Sequence, residues 1–268
     1  MKRVLTIQDL SCMGKCSLTV ALPVLSAMGC ACTVLPTAVM STHTAFPAPH
    51  CRDLTGDLVP VAQHWASVGA QFDGISVGYL SDPEQAAQVA QVLALFPGTV
   101  VLDPAMGDHG KLYSKLTCAH VQAMKQLCHK ADYLLPNVTE AALLTGLPYR
   151  EQVDEAYLQA LSEGLLALGT KGVVITGFLW EEGITGFYCR EQDHDPLEYR
   201  VERIPKSLHG TGDLFSAVFT GALTAGKTAE AAARLAAGFV ERVVAATEAA
   251  SPFGAEFESQ LPWLWQQL

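Results

Sequence analysis

The feature that most constrains the fold of this 268-residue chain is the alternation of short apolar runs with helical patterns along its first two thirds. The apolar runs have the length of strands, and most are followed by a segment with apolar residues at helical spacing. Strands joined by helices pair in parallel and are covered on both faces. The sequence therefore predicts a three-layer α/β/α fold with a mainly parallel central sheet, whose strands span residues 4–7, 32–39, 74–78, 99–102, 133–135 and 173–177.

Two features modify this sheet. Residues 184–189 and 197–203 alternate between apolar and polar side chains, which is typical of an antiparallel pair. Pro36 lies inside the second strand and has no backbone N–H to donate, so it predicts a sheet edge or a bulge at that point.

Local signals between the strands give further predictions. Residues 11–15 are interpreted as a turn, and residues 41–47 as a polar, irregular loop. Ser81, with Glu84 three residues later, is interpreted as the N-cap of a helix.

The turn Gly210-Thr211-Gly212-Asp213 precedes a strongly apolar helix. Glycines allow a tight turn and a close approach to a ligand, and a helix N-terminus attracts anions. An acid beside an anion site would repel a phosphate unless it has another task, such as taking the proton from a hydroxyl that attacks the phosphate. The alternative is that Asp213 only caps the helix and the glycines form an ordinary loop, and these residues alone do not decide between the two.

A second set of polar residues lies where the predicted strands end. In open α/β sheets the carboxyl ends of parallel strands lie along one edge, where ligands bind. Each residue has a structural alternative: Asn137 and Glu140 have the spacing of a capping pair, and His43 fits a surface loop. Their convergence favours a functional site. The set comprises Asp9, His43, Thr44, Tyr79, Asp103, Asn137, Glu140 and Thr176.

Composition argues against several classes of protein. The formal net charge is −10 without a basic cluster, which argues against nucleic acid and anionic membrane surfaces as partners. No apolar run approaches the length of about 18 residues that predicts a membrane span. The eight cysteines are scattered without the paired spacing of a zinc site, so a reducing cytoplasm is expected. P-loop, dinucleotide-binding and nucleophile-elbow motifs are absent from the sequence.

Six short segments, in a fixed order, carry a resemblance to a known family. They are Ile7-Gln8, Ser41-Thr42-His43-Thr44, Gly78-Tyr79, Asp103-Pro104-Ala105-Met106-Gly107-Asp108 with Gly110-Lys111-Leu112-Tyr113, Pro136-Asn137-Val138-Thr139-Glu140-Ala141, and Gly210-Thr211-Gly212-Asp213. Over nearly its whole length the chain resembles the ribokinase-like small-molecule kinases, and among them the bacterial pyridoxamine/pyridoxal (vitamin B6) kinases. The resemblance implies a single ribokinase-like kinase domain over residues 1–268.

The resemblance also implies a reaction. This is the ATP-dependent phosphorylation of the 5′-hydroxymethyl group of pyridoxal, pyridoxine or pyridoxamine. ATP would be the co-substrate and Mg²⁺ the metal, with a monovalent cation as a further candidate. By analogy with these kinases the protein is expected to be a cytoplasmic homodimer that binds a small molecule.

Roles for individual residues follow from the same resemblance. Asp213 would be the catalytic base, and the backbone of Gly210, Thr211 and Gly212 would form the anion hole. Asp103, Asp108 and Glu140 would serve Mg²⁺ and the phosphates, partly through water, and residues 108–113 would form part of a lid. The residues expected to face the nucleotide are Asn137, Thr176, Asp108 and Tyr113, and those expected to line the substrate pocket are Asp9, Ser11, His43, Thr44 and Tyr79.

One departure from the family pattern concerns the substrate. Many members carry Ser-His-Val after Ile-Gln, where the serine contacts the pyridine ring, whereas this chain has Asp9-Leu10-Ser11. An ionised Asp9 would pair with a protonated ring nitrogen or with a ring hydroxyl. Hydroxymethylpyrimidine or another small alcohol on the same fold therefore remains an alternative substrate, and a non-catalytic ligand-binding homologue is a third interpretation.

Overall fold

The structure, a computed structural model, describes residues 1–248 and 251–267. The described strands are β1 (Arg3–Met13), β2 (Ala31–Thr42), β3 (Cys51–Asp53), β4 (Gly74–Val77), β5 (Thr99–Leu102), β6 (Gly107–Asp108), β7 (Lys111–Leu112), β8 (Tyr133–Leu134), β9 (Gly172–Ile175), β10 (Leu179–Glu181), β11 (Ile184–Glu191) and β12 (Leu197–Glu202). The described helices are α1 (Leu18–Ala27), α2 (Thr55–Ser67), α3 (Pro83–Leu95), α4 (Cys118–Cys128), α5 (Val138–Thr145), α6 (Glu155–Leu166), α7 (Thr211–Thr224), α8 (Ala229–Ala246) and α9 (Leu261–Trp265), with a 3₁₀ turn at Glu258–Gln260. In these segments no helix is both long enough and apolar enough to cross a membrane.

Ten of these strands form one sheet in the order β10-β11-β9-β8-β5-β4-β1-β2-β3, with β12 paired to β11. The six strands from β9 to β2 in this order are parallel. β3 adds an antiparallel strand at one edge, and β10, β11 and β12 form an antiparallel ribbon at the other. The predicted parallel strands and the predicted antiparallel pair are confirmed. β6 and β7 form a separate two-stranded hairpin.

Separate layers of helices bury the two faces of the sheet. Side chains alternate along a strand, so Leu5 and Ile7 of β1 pack into one apolar cluster while Val4 packs into the other. Helices α2 to α6 contribute to the first cluster, and α1, α7 and α8 to the second. Residues 214–222 of α7 are all buried, which fixes this helix firmly against the sheet. The predicted three-layer α/β/α fold is confirmed.

β1 and β2 are longer than the sequence analysis predicted. The parallel ladder between them continues to the pair Met13–Thr42. The predicted turn over residues 11–15 is therefore wrong for its first three residues, and the predicted loop 41–47 begins only after Thr42. Pairing with a neighbouring strand holds these polar residues in extended structure, and no local pattern reveals that pairing.

The bulge predicted at Pro36 is confirmed. Gln8 is opposite Pro36, and Leu10, two residues later, is opposite Val39, so β2 contains one extra residue. A bulge bends the strand and redirects the side chains around it. This one lies opposite Asp9, at the start of the polar end of the strand.

The first residues of α3 differ from the prediction by one position. Asp82, not Ser81, is the N-cap, and its Oδ1 accepts a hydrogen bond from the backbone N–H of Glu84 at 2.8 Å. The backbone N–H of Ser81 instead donates to Oε1 of Gln85 at 2.8 Å. Aspartate and serine are both good N-caps, and Pro83, which favours the first position of a helix, is the local signal for Asp82.

Candidate active site

The residues singled out from the sequence lie along one edge of the sheet. Because the central strands are parallel, the segments that follow them emerge at the same side. The turn before α7 reaches this edge as well, since the side chain of Asp103, which follows β5, lies next to Gly212. The remaining members of this edge are Asp9, His43, Tyr79, Asn137 and Thr176.

The turn before α7 contains two glycines in different situations. Gly210 has a φ of +86°, and a Cβ atom on it would lie 1.9 Å from the carbonyl oxygen of Lys15, so only glycine fits. A Cβ atom on Gly212 would have Oδ2 of Asp103 as its nearest neighbour, at 3.9 Å, so space is open beside it. Thr211 donates its hydroxyl to a carbonyl three residues earlier, at 3.4 Å. The turn thus leaves room for an anion at the helix N-terminus.

Asp213 lies in the first turn of α7, partly accessible to solvent. The backbone N–H of Ser17 lies near its carboxyl group and lowers the pKa of that group. Burial, with a smaller contribution from the charge of Asp9, raises the pKa of Asp213 to about 7 in spite of that effect. A carboxyl group with a pKa near neutrality is suited to exchange a proton at physiological pH.

Asp9 is a buried carboxyl group, only 2% exposed. Ser11 Oγ donates to its Oδ2 at 2.9 Å, and Ser17 Oγ donates to its Oδ1 at 2.5 Å. Burial raises the pKa of Asp9 although both hydroxyl groups lower it. Burial, and then the charge of Asp9, raises the pKa of Tyr79, another predicted pocket residue, to about 12. A cationic or hydrogen-bond-donating ligand would offset the unfavourable burial of the Asp9 charge.

Asp103 interacts electrostatically with two other acids. Burial and the charge of Asp213 raise the pKa of Asp103 to about 8. Burial and the charge of Asp103 raise the pKa of Glu140, in the first turn of α5. A bound cation would relieve this repulsion, and hard carboxylate oxygens fit Mg²⁺. In the part of the chain that the structure describes, no group of three or more His, Cys, Asp or Glu residues is arranged to hold a metal ion.

Glu140 also has the structural role that the sequence analysis left open. Its Oε2 accepts from the backbone N–H of Asn137 at 2.9 Å, and its own N–H donates to Asn137 Oδ1 at 3.0 Å, which is a complete capping box. Its Oε1 accepts from the backbone N–H groups of Met106 at 3.0 Å and Gly107 at 3.4 Å. Asn137 Nδ2 donates to the Gly107 carbonyl at 2.8 Å. These hydrogen bonds fix the orientation of the Glu140 carboxylate beside the β6–β7 hairpin.

The β6–β7 hairpin lies beside these acids. Its two turn residues, His109 and Gly110, have φ values of +49° and +73°, as a type I′ turn requires. Asp108 is exposed, with Oδ2 3.6 Å from Nε2 of His109. Burial and then the charge of Glu140 raise the pKa of Tyr113, so the Tyr113 side chain lies near the acids although it is 38% exposed. This hairpin is the segment that the sequence analysis assigned to a lid.

Thr176 and Asn137 lie side by side. A parallel bridge joins them across the ends of β8 and β9. The backbone of Thr176 accepts from the N–H of Val138 at 2.9 Å and donates to the carbonyl of Pro136 at 3.0 Å. Both residues are partly exposed, so the structure leaves them accessible at the site's edge.

His43 is buried, and both of its ring nitrogens have protein partners. Nδ1 accepts from the backbone N–H of Ala45 at 3.3 Å, so Nε2 carries the proton and donates to the carbonyl of Pro252 at 3.3 Å. The centroid of its ring also lies 4.8 Å from that of His209, the residue before Gly210. His43 therefore connects the loop after β2 with the segment after α8. The next residue, Thr44, which was also predicted to line the substrate pocket, is exposed.

Ser17 is a site residue that the sequence analysis missed. It precedes α1 and contacts both Asp9 and Asp213. No local signal separates it from an ordinary helix cap. Its neighbour Cys16 lies near the same acids, and burial together with their charges raises the pKa of its thiol to about 12, so the thiol remains protonated.

The chain is similar to known proteins over nearly all of its length. The phosphomethylpyrimidine kinase family matches residues 20–257. The pyridoxine/pyridoxal/pyridoxamine kinase of Bordetella avium is 32% identical over 268 residues, which cover 92% of this chain and 86% of that protein.

Two solved structures have the same fold and comparable sequence identity. The crystal structure of pyridoxal kinase from Lactobacillus plantarum is 32% identical, with a TM-score of 0.92, and the match covers 100% of this chain and 98% of that one. A Bacteroides thetaiotaomicron protein, provisionally named a phosphomethylpyrimidine kinase and crystallised with pyridoxal, is 33% identical with a TM-score of 0.93. That match covers 98% of this chain and 95% of the other.

Proposed function

The chain belongs to the phosphomethylpyrimidine kinase family, and we propose that it transfers the γ-phosphoryl group of ATP to the 5′-hydroxymethyl group of pyridoxal, pyridoxine or pyridoxamine. The family resemblance drawn from the sequence is confirmed. The observation that carries the proposed reaction is the position of Asp213, whose carboxyl group, with a pKa of about 7, lies at the N-terminus of α7 and near the buried Asp9.

The proposed mechanism assigns Asp213 the task of general base. The substrate hydroxyl attacks the γ-phosphoryl group in line while Asp213 accepts its proton, which in comparable enzymes accelerates the reaction by about 10²–10⁴-fold. The free N–H groups of α7 and the open space beside Gly212 would accommodate the negative charge of the transferring group. The protein's remaining contribution is to hold the two reactants in position.

Asp103 and Glu140 would hold Mg²⁺ together with the phosphates. Burial, and then the charge of a neighbouring acid, raises the pKa of each of them, and a divalent cation would offset both effects. The bound ion would neutralise charge on the phosphate oxygens. Asp103 would act from the end of β5 and Glu140 from the capping box, where its oxygens already accept backbone N–H groups.

Asp9 would recognise the ring of the substrate. Ser11 and Ser17 fix both of its oxygens, so its charge has a defined direction. A protonated pyridine nitrogen or a ring hydroxyl would supply a further donor to this buried carboxylate. B6 vitamers carry both groups, and the Bacteroides thetaiotaomicron relative was crystallised with pyridoxal.

Hydroxymethylpyrimidine is the second candidate substrate. The matching family is described as phosphomethylpyrimidine kinase, and an aminopyrimidine presents a ring nitrogen and an amino group to which a carboxylate such as Asp9 can bind with both oxygens. The two candidates share the reaction and differ only in the ring that Asp9 contacts.

An assay of ATP consumption with Mg²⁺ tests the proposal. It compares pyridoxal, pyridoxine, pyridoxamine, hydroxymethylpyrimidine and ribose for the unmodified protein and for Asp213→Asn. We expect turnover with a B6 vitamer and a loss of about 10²–10⁴-fold in kcat for Asp213→Asn. Asp193→Asn, at an exposed acid in the turn between β11 and β12, is the matched control. Normal turnover of Asp213→Asn would refute the base, and turnover of hydroxymethylpyrimidine or ribose alone would refute the substrate.

A further inference from the structure

Ser17 contacts two carboxyl groups of the candidate site at once. Its Oγ donates to Oδ1 of Asp9 at 2.5 Å, and its backbone N–H lies close enough to the carboxyl group of Asp213 to lower the pKa of that group. We propose that Ser17 is a positioning residue that orients Asp9 toward the alcohol substrate and holds it in fixed relation to Asp213. The inference rests on the proposed function, because it assumes that Asp9 contacts the substrate and that Asp213 is the base.

The hydroxyl of Ser17 does not cap helix α1, although Ser17 occupies the N-cap position. Ser17 is the residue before α1, where a serine side chain usually accepts from a backbone N–H in the first turn of the helix. No such side-chain capping bond forms here, and the hydroxyl donates to Asp9 instead. Helix α1 therefore lacks the stabilisation of a side-chain cap. This indicates that the hydrogen bond to Asp9 serves the candidate site and not the helix.

The backbone of Ser17 is strained. Its φ is +49° and its ψ is −129°, a conformation that glycine adopts readily and other residues rarely do. Residues held in such conformations cluster at functional sites, where the surrounding structure enforces them. Glycine would relieve the strain but would also remove the hydroxyl. The presence of serine in a glycine-like conformation therefore points to a need for its Oγ.

Neighbouring contacts hold this strained segment in place. The hydroxyl of Thr19 lies within hydrogen-bond distance of two carbonyl oxygens, that of Gly14 at 2.9 Å and that of Cys16 at 2.7 Å. The backbone N–H of Lys15 donates to the carbonyl of Phe253 at 2.7 Å. Ser17 itself is only 5% exposed. The loop from 14 to 17 is therefore a packed joint between β1 and α1.

The contacts of Ser17 and Ser11 together define the orientation of Asp9. Each serine donates to a different carboxylate oxygen, which prevents rotation of the group. Ser17 also favours the ionised form of both acids, through its hydroxyl at Asp9 and through its backbone at Asp213. Without its Oγ, Asp9 would keep one donor and gain freedom to turn away from the substrate.

The test compares Ser17→Ala and Ser17→Gly in steady-state kinetics with a B6 vitamer. Both variants lack Oγ but keep the backbone N–H, and only glycine relieves the strain. We expect both to raise the KM of the vitamer about tenfold, as for the loss of a hydrogen bond to a charged group, while the KM of ATP stays unchanged. Ser26→Ala, at an exposed serine near the other end of α1, should leave both KM values unchanged.

A double-mutant cycle with Asp9→Asn separates positioning from a general structural role. If Ser17 acts through Asp9, adding Ser17→Ala to Asp9→Asn should change the KM of the vitamer by less than about twofold. An equal tenfold effect in both backgrounds would overturn the proposal. Unchanged kinetics in either single variant would also overturn the proposal, because both variants lack the hydroxyl to which it assigns the role.

The outcomes also distinguish this inference from the function on which it rests. If the unmodified protein turns over no B6 vitamer, the proposed function fails and this inference fails with it. If it turns over a vitamer and the Ser17 variants match it, only the inference fails. Should Ser17→Ala unfold, as a thermal melt would reveal, Ser17→Gly decides the question, since its backbone fits the observed φ.

Discussion

The pKa of Asp213 is the result of opposing influences. Burial and the charge of Asp9 raise the pKa, and the backbone N–H of Ser17 lowers it, with a net value of about 7. A base must be ionised to accept a proton. Below pH 7 the carboxyl group of Asp213 therefore becomes protonated and activity is lost. Above pH 7 it is ionised and no longer limits the rate.

We predict that kcat/KM of the free enzyme decreases about tenfold per pH unit below an apparent pKa near 7. Asp9→Asn removes a negative charge that raises the pKa of Asp213, so it should shift this acidic limb to lower pH. The measurement is a pH profile of kcat/KM for both proteins with the vitamer well below its KM. A limb that stays in place in Asp9→Asn would contradict the electrostatic link between the two acids.

At the scale of elements, the turn and the first residues of α7 combine rigidity with open space. The helix is buried from residue 214 to residue 222, so its N-terminus cannot shift to accommodate a ligand. The locked conformation of Gly210 fixes the turn against Lys15, and the space beside Gly212 remains free toward Asp103. The two glycines therefore differ in purpose although they are two residues apart.

We predict that alanine at Gly210 lowers stability, whereas alanine at Gly212 lowers activity. Gly210→Ala should lower the free energy of unfolding by more than about 1 kcal/mol, because φ is positive and the new Cβ collides with the carbonyl of Lys15. Gly212→Ala should preserve stability, since alanine favours helices, but should lower kcat/KM for ATP by filling the open space. Urea denaturation and steady-state kinetics measure the two effects.

The matched control for these variants is Gly56→Ala in α2, where a Cβ atom would meet no atom within 4 Å. It should leave activity unchanged and should not lower the free energy of unfolding, since alanine favours helices. Full activity of Gly212→Ala would show that no ligand approaches that part of the turn. A fully stable Gly210→Ala would contradict the steric argument.

At the scale of the whole molecule, several carboxyl groups lie together at the edge of the sheet where the parallel strands end. The pKa of Asp103 is raised to about 8 and that of Asp213 to about 7, and burial also raises those of Asp9 and Glu140. Between pH 4 and these values the native state binds more protons than the unfolded state. The contribution of these groups to stability is therefore present at low pH and is lost as the pH rises through the folded-state values.

We predict that the melting temperature of the ligand-free protein falls between pH 6 and pH 8. Each such carboxyl group can contribute at most about 1.4 kcal/mol per pH unit, and about 1 kcal/mol corresponds to roughly 2–4 °C in a protein of this size. Asp103→Asn should raise the melting temperature at pH 8 and flatten the dependence, whereas Asp195→Asn, at an exposed acid, should not. Thermal melts over this range test the prediction, and a rise in melting temperature with pH for the unmodified protein would refute it.

The sequence by itself determined the class of the fold and the edge of the sheet at which the site lies. Strand and helix periodicities are visible within short windows, and parallel strands place their carboxyl ends together whatever the details of packing. For the same reason the bulge at Pro36 and the turn 210–213 were predictable, because a missing N–H and flexible glycines act locally. The Asn137–Glu140 capping pair was also visible, as one of two alternatives.

Only the tertiary structure decided the length of β1, the partners of His43 and the role of Ser17. β1 continues to Met13 because β2 pairs with it, and His43 bonds the carbonyl of Pro252, 209 residues away. Ser17 takes its strained conformation and directs its hydroxyl to Asp9 because the joint around it is packed from several segments. Such contacts join residues that are distant in sequence, so no local pattern encodes them, and their energies are settled only when the whole chain has folded.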